Sequence, residues 1–329
     1  MTKVGDNTPR EDEVAEVVRA AGRRPLPPTG AYEQVLDAAT AAWEQKVRQR
    51  RRRVITSRLA AAVTVVAVGL GVWFSVGGGL SRAPVATVAV SQGIARYLVD
   101  DNWLPLAVNS SIPAATDLQT GHNGMLTLQL ATGVQFRVAG DTQLRLLSAD
   151  DIELKTGQVY IDSDRFSVGG DLRLLTAFGE VHDIGTQFEV DVNESRLRVR
   201  IREGQVFIAR ADERVHGGVG EEIRVDQQGR VGRDAFPTYG SEWGWAEALA
   251  TPFAGGSLKD FLVWIARETG YVLEFEDSRT ERLAATVEPS GNTEGFTLEE
   301  ALEAQMSTAP SFDYEIRDGV IHIFRYPQK

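Results

Sequence analysis

The spacing of hydrophobic and polar positions divides the chain into three parts. Residues 59–81 contain no charged side chain. At about 1.5 Å of rise per residue, an uncharged run of this length covers the roughly 30 Å hydrocarbon core of a bilayer. The pattern predicts one transmembrane helix at 59–81, a short helical tail at 1–58, and mainly β structure after the span.

The tail carries two amphipathic helical patterns. The second begins near Thr29 and places Val35, Leu36, Ala39 and Trp43 on one apolar stripe. So short a segment cannot build much of a core by itself, so the stripe must pack on lipid or on a partner. Two interpretations stay open: a hairpin that lies on the bilayer, or a partner-binding segment that uses these four side chains as anchors.

Beyond residue 82 the hydrophobic period falls to two, which is typical of strands. Strands are predicted at 87–90, 95–99, 125–130, 134–138, 143–147, 152–155, 158–162, 172–176, 188–192, 196–201 and 205–209, and a loop at 114–124. LKTGQVYID at 154–162 is echoed by IREGQVFIA at 201–209. Each copy predicts two strands around a tight glycine turn, as in stacked β-ribbons or a short β-solenoid. One all-β domain is therefore predicted at 85–235.

Helical and strand patterns alternate at 252–326, which predicts a small α/β domain with a βαβ-like duplication. Ser257 and Thr297 each begin a capping box, the local sequence that starts a helix. Strands are predicted at 271–275, 283–287, 312–316 and 320–324, the last two as a hairpin across Asp318-Gly319.

An aromatic linker at 234–252 separates the two predicted domains. We expect Trp243 and Trp245 to dock one domain on the other. The alternative is an exposed aromatic patch that binds a partner.

Charge orients the predicted span. Residues 1–58 hold 12 Lys and Arg against 8 Asp and Glu, whereas residues 59–329 hold 23 against 38. Arg50, Arg51, Arg52 and Arg53 lie just before the span, where they suit cytoplasmic anionic head groups. The acidic outer part argues against nucleic acid. The chain has no cysteine, hence no disulfide or thiolate metal site. We expect a single-pass bacterial inner-membrane protein with a cytoplasmic N-terminus and periplasmic domains.

The chemistry-bearing residues are sparse. The four histidines lack metal-ligand spacing, and the sequence has no nucleophile elbow, P-loop or dinucleotide fingerprint. His182-Asp183 is the best candidate site, but a polar pair at a strand edge is the better explanation. Asp150-Asp151 and the carboxylates at 162–164 would suit a solenoid glycoside hydrolase, but acidic turns are the plainer interpretation. We expect no enzyme, no cofactor and no metal.

Two stretches resemble known families. Residues 176–208 resemble the signature of FecR-type proteins, through Gly185-Thr186-Gln187-Phe188 and VRIREGQV at 199–206, with upstream matches at 124–133 and 154–160. On this resemblance Gly185, Thr186, Phe188, Gly204 and Val206 are fold residues rather than catalytic ones. SLKDFLVWIARETG at 257–270, FTLEEAL at 296–302 and the closing DGVIHIF resemble the short N-terminal (STN) domain of secretins and TonB-dependent receptors.

The FecR resemblance implies a signal transducer. A TonB-dependent outer-membrane receptor would bind its ligand, often a ferric siderophore, and contact the C-terminal part. The cytoplasmic tail would then control an extracytoplasmic-function sigma factor through Val35, Leu36, Ala39 and Trp43, with cleavage by a regulatory protease. The tail departs from the family in its shortness and its single tryptophan. The alternative is a membrane-tethered periplasmic binding or scaffold protein without sigma-factor control.

Overall fold

The computed structural model describes residues 83–163, 172–210, 213–290 and 295–326, except for the side chain of Ile184. The predicted tail and span lie outside these residues, together with Val35, Leu36, Ala39, Trp43 and Arg50, Arg51, Arg52 and Arg53. Within the described part of the chain, no helix is long and apolar enough to cross a membrane.

The first large body is a β domain built from fifteen strands of one sheet. The strands are β1 (Pro84–Gln92), β2 (Ala95–Val99), β3 (Asn102–Pro105), β4 (Ser111–Pro113), β5 (Thr116–Thr120), β6 (Met125–Leu130), β7 (Gln135–Val138), β8 (Gln143–Leu146), β9 (Asp151–Asp162), β10 (Arg173–Thr176), β11 (Gly179–Val192), β12 (Arg196–Arg210), β13 (Glu213–Gly218), β14 (Glu221–Asp226) and β15 (Val231–Ala235). Alternation sends one face of each strand inward; in β12, Leu197, Val199 and Ile201 are buried between the less buried arginines. The mainly β prediction is confirmed.

Strand pairing is antiparallel at every described contact of this sheet except β9–β10. The main path runs β15-β14-β12-β11-β10-β9-β7-β6-β1-β4, and β11 also pairs with β9. Coils of a parallel β-solenoid pair in parallel, so the solenoid-like interpretation of the repeat is wrong. The repeat instead marks two strands, β9 and β12, that both pair with β11 in antiparallel orientation.

The predicted glycine turns inside that repeat are also wrong. Gly157 and Gly204 lie within the continuous strands β9 and β12, with φ of 103° and 77°. A positive-φ glycine suits a tight turn and a β-bulge equally. Here β12 pairs with β11 on both sides of Gly204, and β9 pairs with β8 up to Thr156 and with β11 from Gly157 onward. The predicted loop at 114–124 contains β5, because Thr116, Leu118 and Thr120 alternate into the interior.

The C-terminal part is a small α/β domain. Its elements, with the linker helix before it, are α1 (Gly244–Glu247), α2 (Leu258–Thr269), β16 (Val272–Phe275), α3 (Ser278–Ala284), α4 (Leu298–Ser307), β17 (Phe312–Arg317) and β18 (Val320–Arg325). The sheet order is β16-β18-β17, with β16 parallel and β17 antiparallel to β18. Leu258, Phe261, Leu262 and Ile265 of α2 are buried against this sheet's core.

Local sequence sets the helix and hairpin boundaries of this domain. Ser257 and Thr297 each complete the predicted capping box, and Gly270 ends α2 in the left-handed region at φ 70°. Asp318 and Gly319 have φ of 51° and 79°, as a tight hairpin turn requires.

The strand predicted at 283–287 is wrong. Residues 278–284 form α3, and the Asp277 carboxylate caps its N-terminus by accepting from Thr280 N. The short apolar run was ambiguous between helix and strand, and the capping residue upstream decides for the helix.

Candidate functional site

The signature residues of the β domain form a bulge between β11 and β12. Ile184 pairs with Gln205 and Gln187 pairs with Glu203, so Gly185 and Thr186 together face the single residue Gly204. Gly185 adopts φ 66° and Gly204 φ 77°. Extra residues in one strand bend it and re-aim the side chains that flank the bulge.

Packing inside the bulge leaves no room for a side chain at Gly204. A Cβ there would lie 2.4 Å from Thr186 Cγ2 and 2.7 Å from Gly185 O. Thr186 is fully buried; its hydroxyl donates to the Asp183 carboxylate, and its backbone N donates to Ser163 Oγ at 2.8 Å. The Gly185-Thr186 pair is thus held in the bulge by close packing and by the hydrogen bonds of Thr186.

Phe188 and Val206 flank the bulge on the inward side of the sheet. Both are buried members of the hydrophobic core of the β domain. Their place in the structure is therefore one of packing.

The bulge carries charged residues toward the C-terminal domain. They meet others in a set that we call the interdomain clamp: Arg137, Asp162, Arg202 and Glu203 of the β domain, Glu247 of α1, and Arg267 and Glu268 of α2. The sequence pattern predicts Asp162 only as a turn carboxylate and does not single out the other members.

Arg137 and Glu268 form the most deeply buried contact of the clamp. The Arg137 side chain is 0% exposed and that of Glu268 is 3% exposed. Arg137 Nη2 donates to both carboxylate oxygens, at 2.9 and 2.7 Å, and Nη1 donates to Ala246 O at 2.9 Å. Removing one partner would leave the other charge buried and unpaired, which is costly in a protein interior.

Arg202 caps the C-terminal end of α2. Its guanidinium donates to Glu268 O at 2.8 Å and to Thr269 O at 3.1 Å, which are among the carbonyls that a helix end leaves free. It also donates to Thr238 O at 2.7 Å and to Glu247 Oε1 at 2.6 Å. A cation at this position also complements the negative end of the helix dipole.

Arg267 completes the clamp on its more exposed side. It donates to Glu203 Oε2 at 2.6 Å and to the Asp162 carboxylate. Glu203 and Arg202 directly precede Gly204, so the bulge and the clamp share one stretch of β12.

Burial changes the protonation preferences inside the clamp. Burial raises the pKa of the Glu268 carboxyl, and the Arg137 guanidinium opposes that rise. Burial likewise raises the pKa of Glu247, with Arg202 acting in the opposite direction. The phenol of Tyr160, enclosed beside the clamp, also has a raised pKa because it is buried. These directions indicate a site that largely excludes water.

The linker tryptophans pack against the β domain. Trp243 is fully buried, with its ring edge-on to Tyr160 at 6.0 Å and to Phe236 at 5.7 Å between centroids. The Arg202 guanidinium lies 4.6 Å from the Trp243 ring centroid, and Trp245 Nε1 donates to Glu189 Oε2 at 2.9 Å. These contacts dock the linker on the β domain and do not themselves join the two domains, and the burial of Trp243 contradicts an exposed aromatic patch.

The other candidate residues make structural contacts. His182 stacks on Phe207 at 4.3 Å and lies 3.3 Å from Glu180, while Asp183 accepts from Thr186. Asp151 accepts from Arg173 at 2.7 Å. Among the described residues, no group of three or more His, Asp or Glu side chains is placed to hold a metal ion.

Comparison with known proteins identifies the stretch that contains the bulge. Residues 116–207 match the family model described as FecR protein. This stretch is a FecR domain. The match covers the chain from β5 into β12 and includes the bulge, Arg137, Asp162, Arg202 and Glu203. The sheet around the FecR domain continues with β1–β4 before it and β13–β15 after it.

Two crystal structures of a candidate anti-sigma factor from Parabacteroides distasonis are similar to the chain. Their TM-scores are 0.35 and 0.34, each at 15% identity, and each match covers 64% of this chain and 99% of the other. No curated protein sequence matches this chain.

Proposed function

We propose that this chain is a FecR-type regulator of a sigma factor rather than an enzyme. The observation that carries the proposal is the FecR domain at 116–207 with its signature bulge intact. The candidate carboxylates and histidines of the described residues make structural contacts, which suits a protein that works by binding.

The regulator would cross a bacterial inner membrane once, with its tail in the cytoplasm. The uncharged run at 59–81 and the arginines at 50–53 support this orientation. The tail would contact an extracytoplasmic-function sigma factor through the stripe that contains Trp43. Cleavage by a regulatory protease is one route by which this contact would change.

The C-terminal domain would receive the signal from the periplasmic signalling domain of a TonB-dependent receptor, as in siderophore-type surface signalling. Its STN-like sequence supports this assignment. A groove of about 550 Å³ also lies beside β16, which is an edge strand of its sheet. Val263, Leu273 and Phe275 line this groove. Strand addition at a sheet edge is a common mode of binding between proteins.

The test is co-purification of the full-length chain, in mild detergent, with a candidate extracytoplasmic-function sigma factor from the same organism. Trp43→Ala removes the largest anchor of the stripe, and Gln34→Ala on the polar side of the same predicted helix is the matched control. We expect wild type and Gln34→Ala to retain the sigma factor and Trp43→Ala to lose it. If wild type retains none at micromolar concentration, the sigma-factor proposal is wrong.

A second candidate is a membrane-tethered scaffold without sigma-factor control. In that case, deleting the gene would leave transcription of sigma-dependent promoters unchanged while disturbing an envelope complex. A reporter on such a promoter separates the two functions.

A further inference from the structure

We propose that the interdomain clamp is a releasable contact, and that separation of α2 from β12 is the conformational step that passes a signal from the C-terminal domain to the FecR domain. The signalling half of this inference rests on the proposed function. The release itself concerns only contacts between described residues and is tested separately.

The contacts between the two domains are concentrated at one end of α2. Arg267, Glu268 and Thr269, in its last turn, make the clamp contacts. Lys259 and Val263, in its first half, instead line the open groove beside β16. A partner seated in that groove would therefore act on the same rigid helix whose far end the clamp holds.

The clamp is a polar contact between the two domains, whereas a permanent interface between domains is usually apolar. The core of the C-terminal domain contains no residue of the FecR domain, and the aromatic cluster around Trp243 joins the linker to Tyr160 instead. Charged groups that separate regain water, which offsets part of the lost pairing. Polar interfaces between domains commonly permit relative motion.

The chain also contains a hinge at the required place. Gln135 Nε2 donates to Thr251 Oγ1 at 2.9 Å, and Thr127 Oγ1 donates to Leu249 O at 2.7 Å, so the linker stays on the β domain. Immediately after it, Gly255 and Gly256 are exposed, with φ of 104° and 140°. Glycines in this region of φ permit rotations that other residues resist.

The C-terminal end of α2 packs closely against Thr238 and Arg202, and Gly270 makes this close approach possible. A Cβ at Gly270 would lie 2.0 Å from Thr238 O and 2.6 Å from Arg202 Nε. The Tyr239 ring also contacts Tyr271, with 5.3 Å between centroids. The closed position is thus a specific fit around Arg202, and losing that side chain removes its two hydrogen bonds to the end of α2, at Glu268 O and Thr269 O.

The absence of cysteine from the chain permits a direct distance measurement. Val219→Cys in the turn between β13 and β14 and Val263→Cys on α2 are exposed sites for two spin labels, one on each body. Pulsed electron paramagnetic resonance on the full-length chain in detergent should give one narrow distance distribution. We expect Arg202→Ala to raise the population at longer distance roughly tenfold, because it removes the two charge-assisted hydrogen bonds from Arg202 to the end of α2.

Two further variants keep the measurement decisive. Arg267→Ala is a milder change to the clamp, since that side chain is 27% exposed, and it serves if Arg202→Ala does not fold. Arg224→Ala is the matched control: Arg224 pairs with Glu222 at 2.6 Å and with Asp234, all within the β domain. Unchanged distances in both clamp variants, or equal opening in the control, would overturn the release.

A reporter driven by the cognate sigma factor tests the signalling half in cells. We expect Arg267→Ala, without inducer, to shift the output several-fold toward its induced level, and Arg224→Ala to leave it unchanged. Opening without any change in output would overturn the signalling step. If deleting the whole gene also leaves the reporter unchanged, the sigma-factor proposal has failed, whereas the distance result stands on its own.

Discussion

Gly204→Ala is expected to destabilise the FecR domain strongly, because two separate costs fall on one methyl group. Gly204 has φ 77°, and an L-residue pays about 1–2 kcal/mol in that left-handed region. The new Cβ would also meet Thr186 Cγ2 at 2.4 Å and the carbonyl oxygen of Gly185 at 2.7 Å. Overpacking of a filled interior costs about 1–3 kcal/mol more. The sum predicts a loss of about 3 kcal/mol in the free energy of unfolding.

Gly220→Ala is a closely matched control. Gly220 has φ 78°, almost the same backbone conformation, but its added Cβ would meet only the carbonyl oxygen of Phe236, at 3.7 Å. That variant pays the backbone cost without the clash, so its loss should be about 1–2 kcal/mol. The difference between the two variants isolates the close approach inside the bulge.

Urea unfolding of the full-length chain in detergent, followed by tryptophan fluorescence, measures both losses. At a slope of about 2 kcal/mol per molar, the midpoint should fall by about 1.5 M for Gly204→Ala and by about 0.5–1 M for Gly220→Ala. Adding Thr186→Ser to Gly204→Ala removes the Cγ2 atom and should recover part of the loss. Equal midpoints for the two glycine variants would refute the reasoning about the bulge.

Three further predictions concern the clamp surroundings and the helix caps. Tyr160→Phe should leave the free energy of unfolding unchanged or raise it by up to about 1 kcal/mol, because the buried hydroxyl has no hydrogen-bond partner among the described residues. A clear fall in the melting temperature would contradict this prediction. Trp243→Ala should cost about 3–5 kcal/mol in urea unfolding, because it empties a fully buried site, whereas an unchanged midpoint would mean that the linker is not docked. The hydrogen bond from the Ser257 hydroxyl is the largest of the effects that hold the pKa of Asp260 below its usual range. Its stabilising contribution is therefore present above the ordinary carboxyl pKa and is lost as pH falls through the lower folded value. The stability gap between wild type and Asp260→Asn should then close below about pH 4 in urea titrations, and a gap independent of pH would contradict the assignment.

Short-range sequence determined much of the C-terminal domain. The capping boxes at Ser257 and Thr297, the stop at Gly270 and the turn at Asp318-Gly319 each depend on residues within four positions of one another. Period-two alternation likewise located most strands of the β domain, since it is the direct trace of one buried face. Signals of this kind need no knowledge of what lies across the fold.

Two errors show where local signals end. Gly157 and Gly204 were predicted as turns, because a glycine between two strands looks the same whether the chain reverses or bulges. The choice depends on the neighbouring strands: β11 pairs with β12 on both sides of Gly204, and β9 pairs with β8 up to Thr156 and with β11 from Gly157 onward. A partner strand, and not the glycine, decides whether the chain turns.

The clamp is the part that only the tertiary structure decided. Arg137 lies in an ordinary strand and Glu268 on an amphipathic helix, 131 positions apart, and each is typical of a solvated side chain when its sequence is considered alone. A charge is stable in an interior only beside a partner that repays its lost hydration. The sequence by itself therefore determines the helices and strands that carry these residues. Only the fold decides that they meet, because the cost of removing each charge from water is offset only where the two opposite charges lie together in the interior.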